Sequence, residues 1–177
     1  PPFRSIFTPP TLIHNLQPST RISVIIPARN EENNLPALLD SLMAQTYPSH
    51  LFEIIVVDDF SDDNTALIVR QYKSVKLIQL KNFISSPINS YKKKAIEIAI
   101  DQSSGTLIVT TDADCIATPA WLQTIAAFYE KTNAAFIAAP VAYLPPEKND
   151  NPFTRFLKIF QLLDFTTLQG ITGASVE

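Results

Sequence analysis

Apolar residues along this chain switch repeatedly between short continuous runs and helical spacing. Ile22 to Ile26 is a short β-branched run stopped by Pro27, the pattern of a buried strand. Leu35, Leu38, Leu39, Leu42 and Met43 then fall on one face of a predicted helix. Ile54 to Val57 reads as a second buried strand, ending at Asp58-Asp59. Ser61 is placed to cap a further helix, with Asp62 and Asp63 in its first turn, where acids suit the helix dipole. Lys76 to Leu80 reads as a strand, Ala95, Ile96, Ala99 and Ile100 mark a helix, and Leu107 to Thr110 is a strand leading to Thr111-Asp112. Pro119 is expected to open a helix with Trp121, Leu122, Ile125, Phe128 and Tyr129 on its apolar side. Ala134 to Val141 predicts a strand, and Phe153, Phe156, Leu157, Phe160 and Leu163 predict a last amphipathic helix. Residues 1–20, with five prolines and no steady period, read as an extended lead-in.

Strands and helices alternating at such short intervals imply crossover units. The predicted fold class is therefore α/β: a Rossmann-like, mostly parallel sheet with helices on both faces. Ligands in such sheets bind beyond the carboxyl ends of the strands. Three polar clusters, Ala28 to Glu31, Asp58 to Asp63 and Asp112 to Asp114, each follow a strand directly. They are expected to gather at one edge.

Composition narrows the partners. The 177 residues suit roughly one domain, and a hydrophobic content of 46% fills a core. A net charge of −3 offers no basic surface for phosphate neutralisation, so no nucleic-acid partner is expected. Cys115 is the single cysteine, which excludes an internal disulfide and a multi-cysteine zinc site. No stretch reaches the ~18 to 20 apolar residues of a membrane span. The start, Pro1-Pro2-Phe3-Arg4, lacks an initiator Met and a signal-peptide pattern, so the chain is expected to come from the middle of a longer product. The glycines are Gly105, Gly170 and Gly173, from which neither a P-loop nor a G-x-G-x-x-G turn can be written.

The acidic clusters carry the candidate chemistry. In an extended segment Asp112 and Asp114, at i and i+2, point the same way, and both carboxylates can face one Mg2+ or Mn2+ that also takes substrate phosphate oxygens. A solvated acidic turn is the competing reading. In Asp58 to Thr65, an EF-hand loop fails because Asn64 holds the glycine position and Arg70 the terminal glutamate position. Capping explains Ser61, Asp62 and Asp63 but not Asp58 or Asp59, which sit where a base N–H or ribose hydroxyl could be bound. Lys92-Lys93-Lys94 opens a helix against its dipole, which a nearby diphosphate would offset; a solvated face is the other reading.

Taken together, Pro27-Ala28-Arg29-Asn30-Glu31-Glu32, Asp58 through Thr65, Lys93-Lys94-Ala95, and Asp112-Ala113-Asp114 with Pro119 and Trp121 resemble the successive motifs of family 2 glycosyltransferases with the GT-A fold. The likeness covers about Arg21 to Glu130. It implies a nucleotide-sugar-binding GT-A core over residues 21–145, followed by an amphipathic helix and the start of an acceptor portion over 146–177. Pro27, Ala28, Arg29, Glu31, Asp58 and Asp59 would surround base and ribose, and Lys93 would lie near the diphosphate. Asp112 would touch the ribose and, with Asp114, the divalent cation. Arg29 stands where relatives commonly carry an aromatic, which implies a guanidinium contact in place of stacking.

The implied reaction is inverting transfer of a sugar from a nucleoside diphosphate, UDP foremost, to a hydroxyl of a glycan, lipid or other acceptor. No catalytic base is assigned: the resemblance places it beyond Glu177, and Asp164 lies within the helical pattern. The alternatives are a non-catalytic nucleotide-sugar-binding domain and a sugar nucleotidyltransferase, the latter at odds with a glycine-free Pro27 to Asn33 loop. The stripe from Phe153 to Leu168 reads either as packing or as a surface against a membrane or a further portion of the protein. The resemblance implies a cytoplasmic location, or the cytoplasmic face of a membrane.

Overall fold

A computed structural model of the chain describes residues 18–84, 90–139 and 149–174. These fall into two compact units that part between Asn133 and Ala134. In the first unit the strands are β1 (Ile22–Ala28), β2 (Phe52–Asp58), β3 (Val75–Gln79) and β4 (Leu107–Thr110). Its helices are α1 (Leu35–Met43), α2 (Thr65–Val69), α3 (Tyr91–Asp101) and α4 (Trp121–Thr132). The strands form one sheet in the order β3-β2-β1-β4, parallel at every pairing. The register sets Ala28 beside Asp58 and Ile22 beside Leu107.

Both faces of the sheet are covered, which is why its strands read as continuous apolar runs. Ile22, Val24 and Ile26 of β1, with Ile54 and Val56 of β2, pack on one side with α1 and with Leu122 and Ala126 of α4. Ile25, Ile55 and Val57 face the other side, against Ala95, Ile98 and Ala99 of α3. Leu35, Leu38, Leu39 and Leu42 have no exposed surface, each contributing about 1.5–3 kcal/mol by burial. Met43, Ile100 and Phe128, expected on apolar faces, are exposed at the edges of theirs.

Several boundaries differ from the pattern-based expectation. The helix expected after Ser61 starts at Thr65, because Ser61 Oγ accepts from the Asn30 amide and caps nothing. Pro119 precedes α4 and does not open it; its carbonyl accepts from Thr46 N at 2.8 Å, which fixes the turn to the end of α1. Asn133 ends α4 in the left-handed conformation at φ 50°, a position asparagine tolerates.

The second unit contains α5 (Pro152–Ala174). A strand exists only as a partner in a ladder, and residues 134–139, expected to begin one, join none among the described residues. Residues 140 and 141 of that expected strand, the expected domain division at residue 145, and nearly all of the extended lead-in lie outside the described residues. Phe153, Phe156, Leu157, Phe160 and Leu163 repeat along α5 as expected but are exposed. Among the described residues no helix is long and apolar enough to cross a membrane.

The entry into β1 is tied to the far end of α4. Glu130 Oε1 accepts from the backbone N and hydroxyl of both Ser19 and Thr20, the shortest bond being 2.7 Å from Thr20 Oγ1. Burial pushes the Glu130 carboxyl up, but these hydrogen bonds outweigh it and hold it below the ordinary glutamate value. A carboxyl depressed on folding adds stability above its unfolded pKa and loses it as pH falls through the folded one. Glu130→Gln is therefore expected to be less stable than wild type at pH 7, with the gap closing in strong acid; urea unfolding at both pH values checks this.

Candidate functional site

The loops after β1, β2 and β4 meet where the strand order reverses, since β2 lies on one side of β1 and β4 on the other. Open parallel sheets place their ligand crevice at such a point. A cleft of about 240 Å³ lies there, lined by Pro27, Ala28, Arg29, Glu31, Asp59, Lys92, Asp112, Ala113 and Asp114. Residues up to 87 positions apart in sequence thus share one wall-to-wall space, from Pro27 to Asp114.

The first two loops are laced together by backbone amides. Glu31 N donates to Thr65 Oγ1 at 2.8 Å, Glu32 N to Asp63 Oδ2 at 3.0 Å, and Asp62 N to Asn30 Oδ1 at 2.8 Å. Asn64 N returns a bond to Glu32 Oε2 at 3.0 Å. Asp59 N extends the ladder by donating to Ala28 O at 2.8 Å. Asn30 and Phe60 adopt positive φ, 56° and 53°. Asparagine tolerates that region; phenylalanine does so at a cost of about 1–2 kcal/mol. The Phe60 ring meets Tyr91, at the start of α3, edge-on at a centroid distance of 5.7 Å.

Asp59 is the unusual group in the cleft. It is 8% exposed, and its Oδ1 is buried with no hydrogen-bond partner. Burial pushes its carboxyl up, the Arg29 guanidinium opposes this, and the neighbouring Asp58 adds to it. A buried acceptor left without a donor is an anomaly that a ligand N–H or O–H would remove.

Asp58, also expected in the site, is not among the lining residues. Its Oδ1 accepts from Ser61 N at 3.2 Å and its Oδ2 from Gln79 Nε2 at 3.4 Å, so it braces the loop from behind. Lys93 is likewise absent from the lining, and Lys92 stands in the cleft instead, its Nζ 2.6 Å from Asp112 Oδ1. Helical phase supplies the signal for this: Lys92, Ala95 and Ala99 fall at i, i+3 and i+7, the side α3 turns to the sheet. Ala113, buried at the cleft wall, carried no signal beyond its place between two aspartates.

Among the described residues no group of three or more His, Cys, Asp or Glu lies close enough to hold a metal alone. Of the four carboxylates that line the cleft, Glu31, Asp59, Asp112 and Asp114, the last two stand two positions apart in the segment after β4. That pair fits a hard divalent cation completed by water and phosphate oxygens. It does not fit a zinc centre closed by protein ligands. Cys115 Sγ is 4.0 Å from Asp114 Oδ1.

The model of the family described as glycosyl transferase family 2 matches residues 23–175. Glycosyltransferase AglE of Haloferax volcanii is 32% identical over 126 residues, covering 71% of this chain and 40% of that protein. Among solved structures, Staphylococcus aureus TarS 1–349 in complex with UDP-GlcNAc superposes with a TM-score of 0.56 at 28% identity, covering 70% of this chain and 38% of that one. The mannosyltransferase PcManGT from Pyrobaculum calidifontis, in complex with GDP-Man and Mn2+, gives 0.50 at 28% identity, covering 59% and 30%. The chain spans two fifths or less of each of these proteins. With a family match over most of its length and a parallel sheet shared with GT-A structures, the chain belongs to glycosyl transferase family 2.

Proposed function

We propose that this chain is the nucleotide-sugar-binding portion of a divalent-metal-dependent glycosyltransferase that moves a sugar, with inversion, from a nucleoside diphosphate to an acceptor hydroxyl. The observation that carries this reading is the shared cleft of Arg29, Asp59, Asp112 and Asp114, drawn from the ends of three strands. The likeness to a protein crystallised with UDP-GlcNAc supports a UDP-sugar as donor, and the likeness to one crystallised with GDP-Man and Mn2+ supports the metal.

In this reading the loop from Pro27 to Glu31 surrounds the nucleoside, and Asp59 Oδ1 accepts a base N–H that satisfies its buried lone pair. Arg29 lies against the base and balances the Asp59 charge. Lys92, with Lys93 beside it, faces the diphosphate. Asp112 and Asp114 would hold Mg2+ or Mn2+, which when bound neutralises charge on the departing diphosphate and is worth several kcal/mol in the transition state. The bond from the anomeric carbon to the diphosphate oxygen breaks as the acceptor oxygen attacks from the opposite face. A carboxylate takes the acceptor proton; no residue of this chain is assigned to that step. The acceptor belongs to the glycan, lipid or other hydroxyl class, and the protein works in the cytoplasm or at the cytoplasmic face of a membrane; the exposed apolar stripe of α5 supports contact with a membrane or a further portion of the protein, and nothing finer.

Calorimetric titration with UDP- and GDP-sugars, with and without Mn2+, tests the reading. At least one is expected to bind, more tightly with the metal. Absence of binding across the panel would reject the site. Binding without product formation in the full-length protein would leave a non-catalytic binding domain.

A further inference from the structure

The proposed site does not by itself explain why Asp112 is already engaged. Its Oδ1 accepts a hydrogen bond from Lys92 Nζ at 2.6 Å, on a carboxylate to which the proposed function gives the divalent cation. Of the neighbouring lysines, Lys94 pairs with Glu97 at 3.1 Å, and Lys93 makes no ion pair among the described residues. Lys92 is aimed into the cleft by the phase of α3, and the edge contact of Phe60 with Tyr91 fastens that first turn to the loop carrying Asp59. Both partners of the ion pair are about three-fifths exposed, 62% and 61%. Such a pair is weak and readily exchanged.

From this juxtaposition we propose that Lys92 sets the order in which the site fills. The inference rests on the donor site described above. With the cleft empty, the ammonium occupies Asp112 and repels a second cation. When a diphosphate enters, its oxygens offer the ammonium a better-charged partner, and the flexible four-carbon stem lets Lys92 turn to them without moving the helix. Asp112 is then released beside Asp114, and the phosphate charge offsets the repulsion between lysine and metal. The divalent cation therefore binds together with the nucleotide and weakly before it. Lys92 is on this account a specificity-determining residue: it makes the site answer to the metal–diphosphate pair and not to free metal.

Mn2+ binding followed by electron paramagnetic resonance, with and without UDP, tests this on wild type, Lys92→Met and a Lys94→Met control. Methionine keeps the helix propensity of lysine, and the replaced ammonium is exposed, so the variants are expected to fold. Without nucleotide, Lys92→Met is expected to bind Mn2+ more tightly than wild type by up to about fivefold, the upper limit an exposed pair allows, while its affinity for UDP without metal falls. Lys94→Met is expected to match wild type in both. Equal affinity of Lys92→Met and wild type for Mn2+ alone, with UDP-dependent Mn2+ binding intact in wild type, would overturn the ordering role and leave the donor site standing. An equal gain in Lys94→Met would overturn it too, by showing a general effect of charge. Failure of wild type to bind Mn2+ with UDP would remove the donor site and this inference with it.

Discussion

Asp59→Asn is expected to raise the stability of the fold by about 1 kcal/mol and to weaken UDP binding about tenfold or more. The two effects have one origin. The Asp59 carboxylate is almost fully buried, and one of its oxygens meets no donor. A buried polar group without a partner costs about 1–3 kcal/mol, and a charged one more. Asparagine keeps the shape and removes the charge, which relieves the folded protein but takes away the charge-assisted bond that a base N–H would receive. Such bonds contribute about 1.5–3 kcal/mol, roughly tenfold to a hundredfold in affinity. The pH dependence carries the same sign. Burial raises the Asp59 carboxyl above its unfolded value, despite Arg29, so its penalty applies at neutral pH and fades in acid, where both states are protonated. The advantage of the variant is expected at pH 7 and is expected to vanish near pH 3. Urea unfolding at both pH values, with calorimetry against UDP, checks both halves. A variant that is less stable and binds as before would make Asp59 a structural residue.

Gly105→Ala is expected to cost about 3 kcal/mol, the upper range for forcing atoms into a packed interior, and to lower nucleotide affinity along with stability. A Cβ at Gly105 would fall on the backbone nitrogen of Ser23, 2.6 Å from Ser23 Oγ and 2.7 Å from the Ile22 carbonyl carbon. Two of those atoms belong to the backbone of β1, the buried centre of the sheet, and have nowhere to go. The amide of Gly105 donates to Ser23 Oγ at 2.8 Å, and that hydroxyl donates to Glu53 Oε1 at 2.6 Å. Pushing the chain away at Gly105 breaks this set and shifts the start of β4 against β1. Because β4 leads into Asp112 and Asp114, the displacement runs toward the cleft. Thermal unfolding and UDP titration of the variant measure both effects. Wild-type stability would show that the chain at Gly105 can move away from β1 without cost.

Much of this was legible in the sequence because the informative signals were local. β-branched runs located the strands, and Leu107 to Thr110 was placed to the residue. Polar clusters following strands located the cleft edge, since parallel topology brings every carboxyl end to the same side. What the sequence left unread depended on partners distant along the chain. Ser61 looks like a cap until Asn30, 31 residues away, takes its oxygen. Asp58 and Asp59 are adjacent and chemically identical, yet Ser61 and Gln79 engage one and the cleft receives the other. Within the lysine run, composition gives three equal candidates, and only the phase of α3 against the sheet selects Lys92. The apolar run expected as a strand from Ala134 to Val141 joins no ladder over its described residues, 134–139, and propensity alone makes none.

That three strand ends grip one cation-bearing nucleotide is tested most directly by NMR of the isotope-labelled chain with UDP and a trace of Mn2+. Paramagnetic broadening is expected to strike the amides of Ala28, Asp59 and Asp114 together and to spare Glu53 and Ser104 at the opposite strand ends. Broadening confined to one of the three loops, or centred on Glu53 and Ser104, would contradict a shared site.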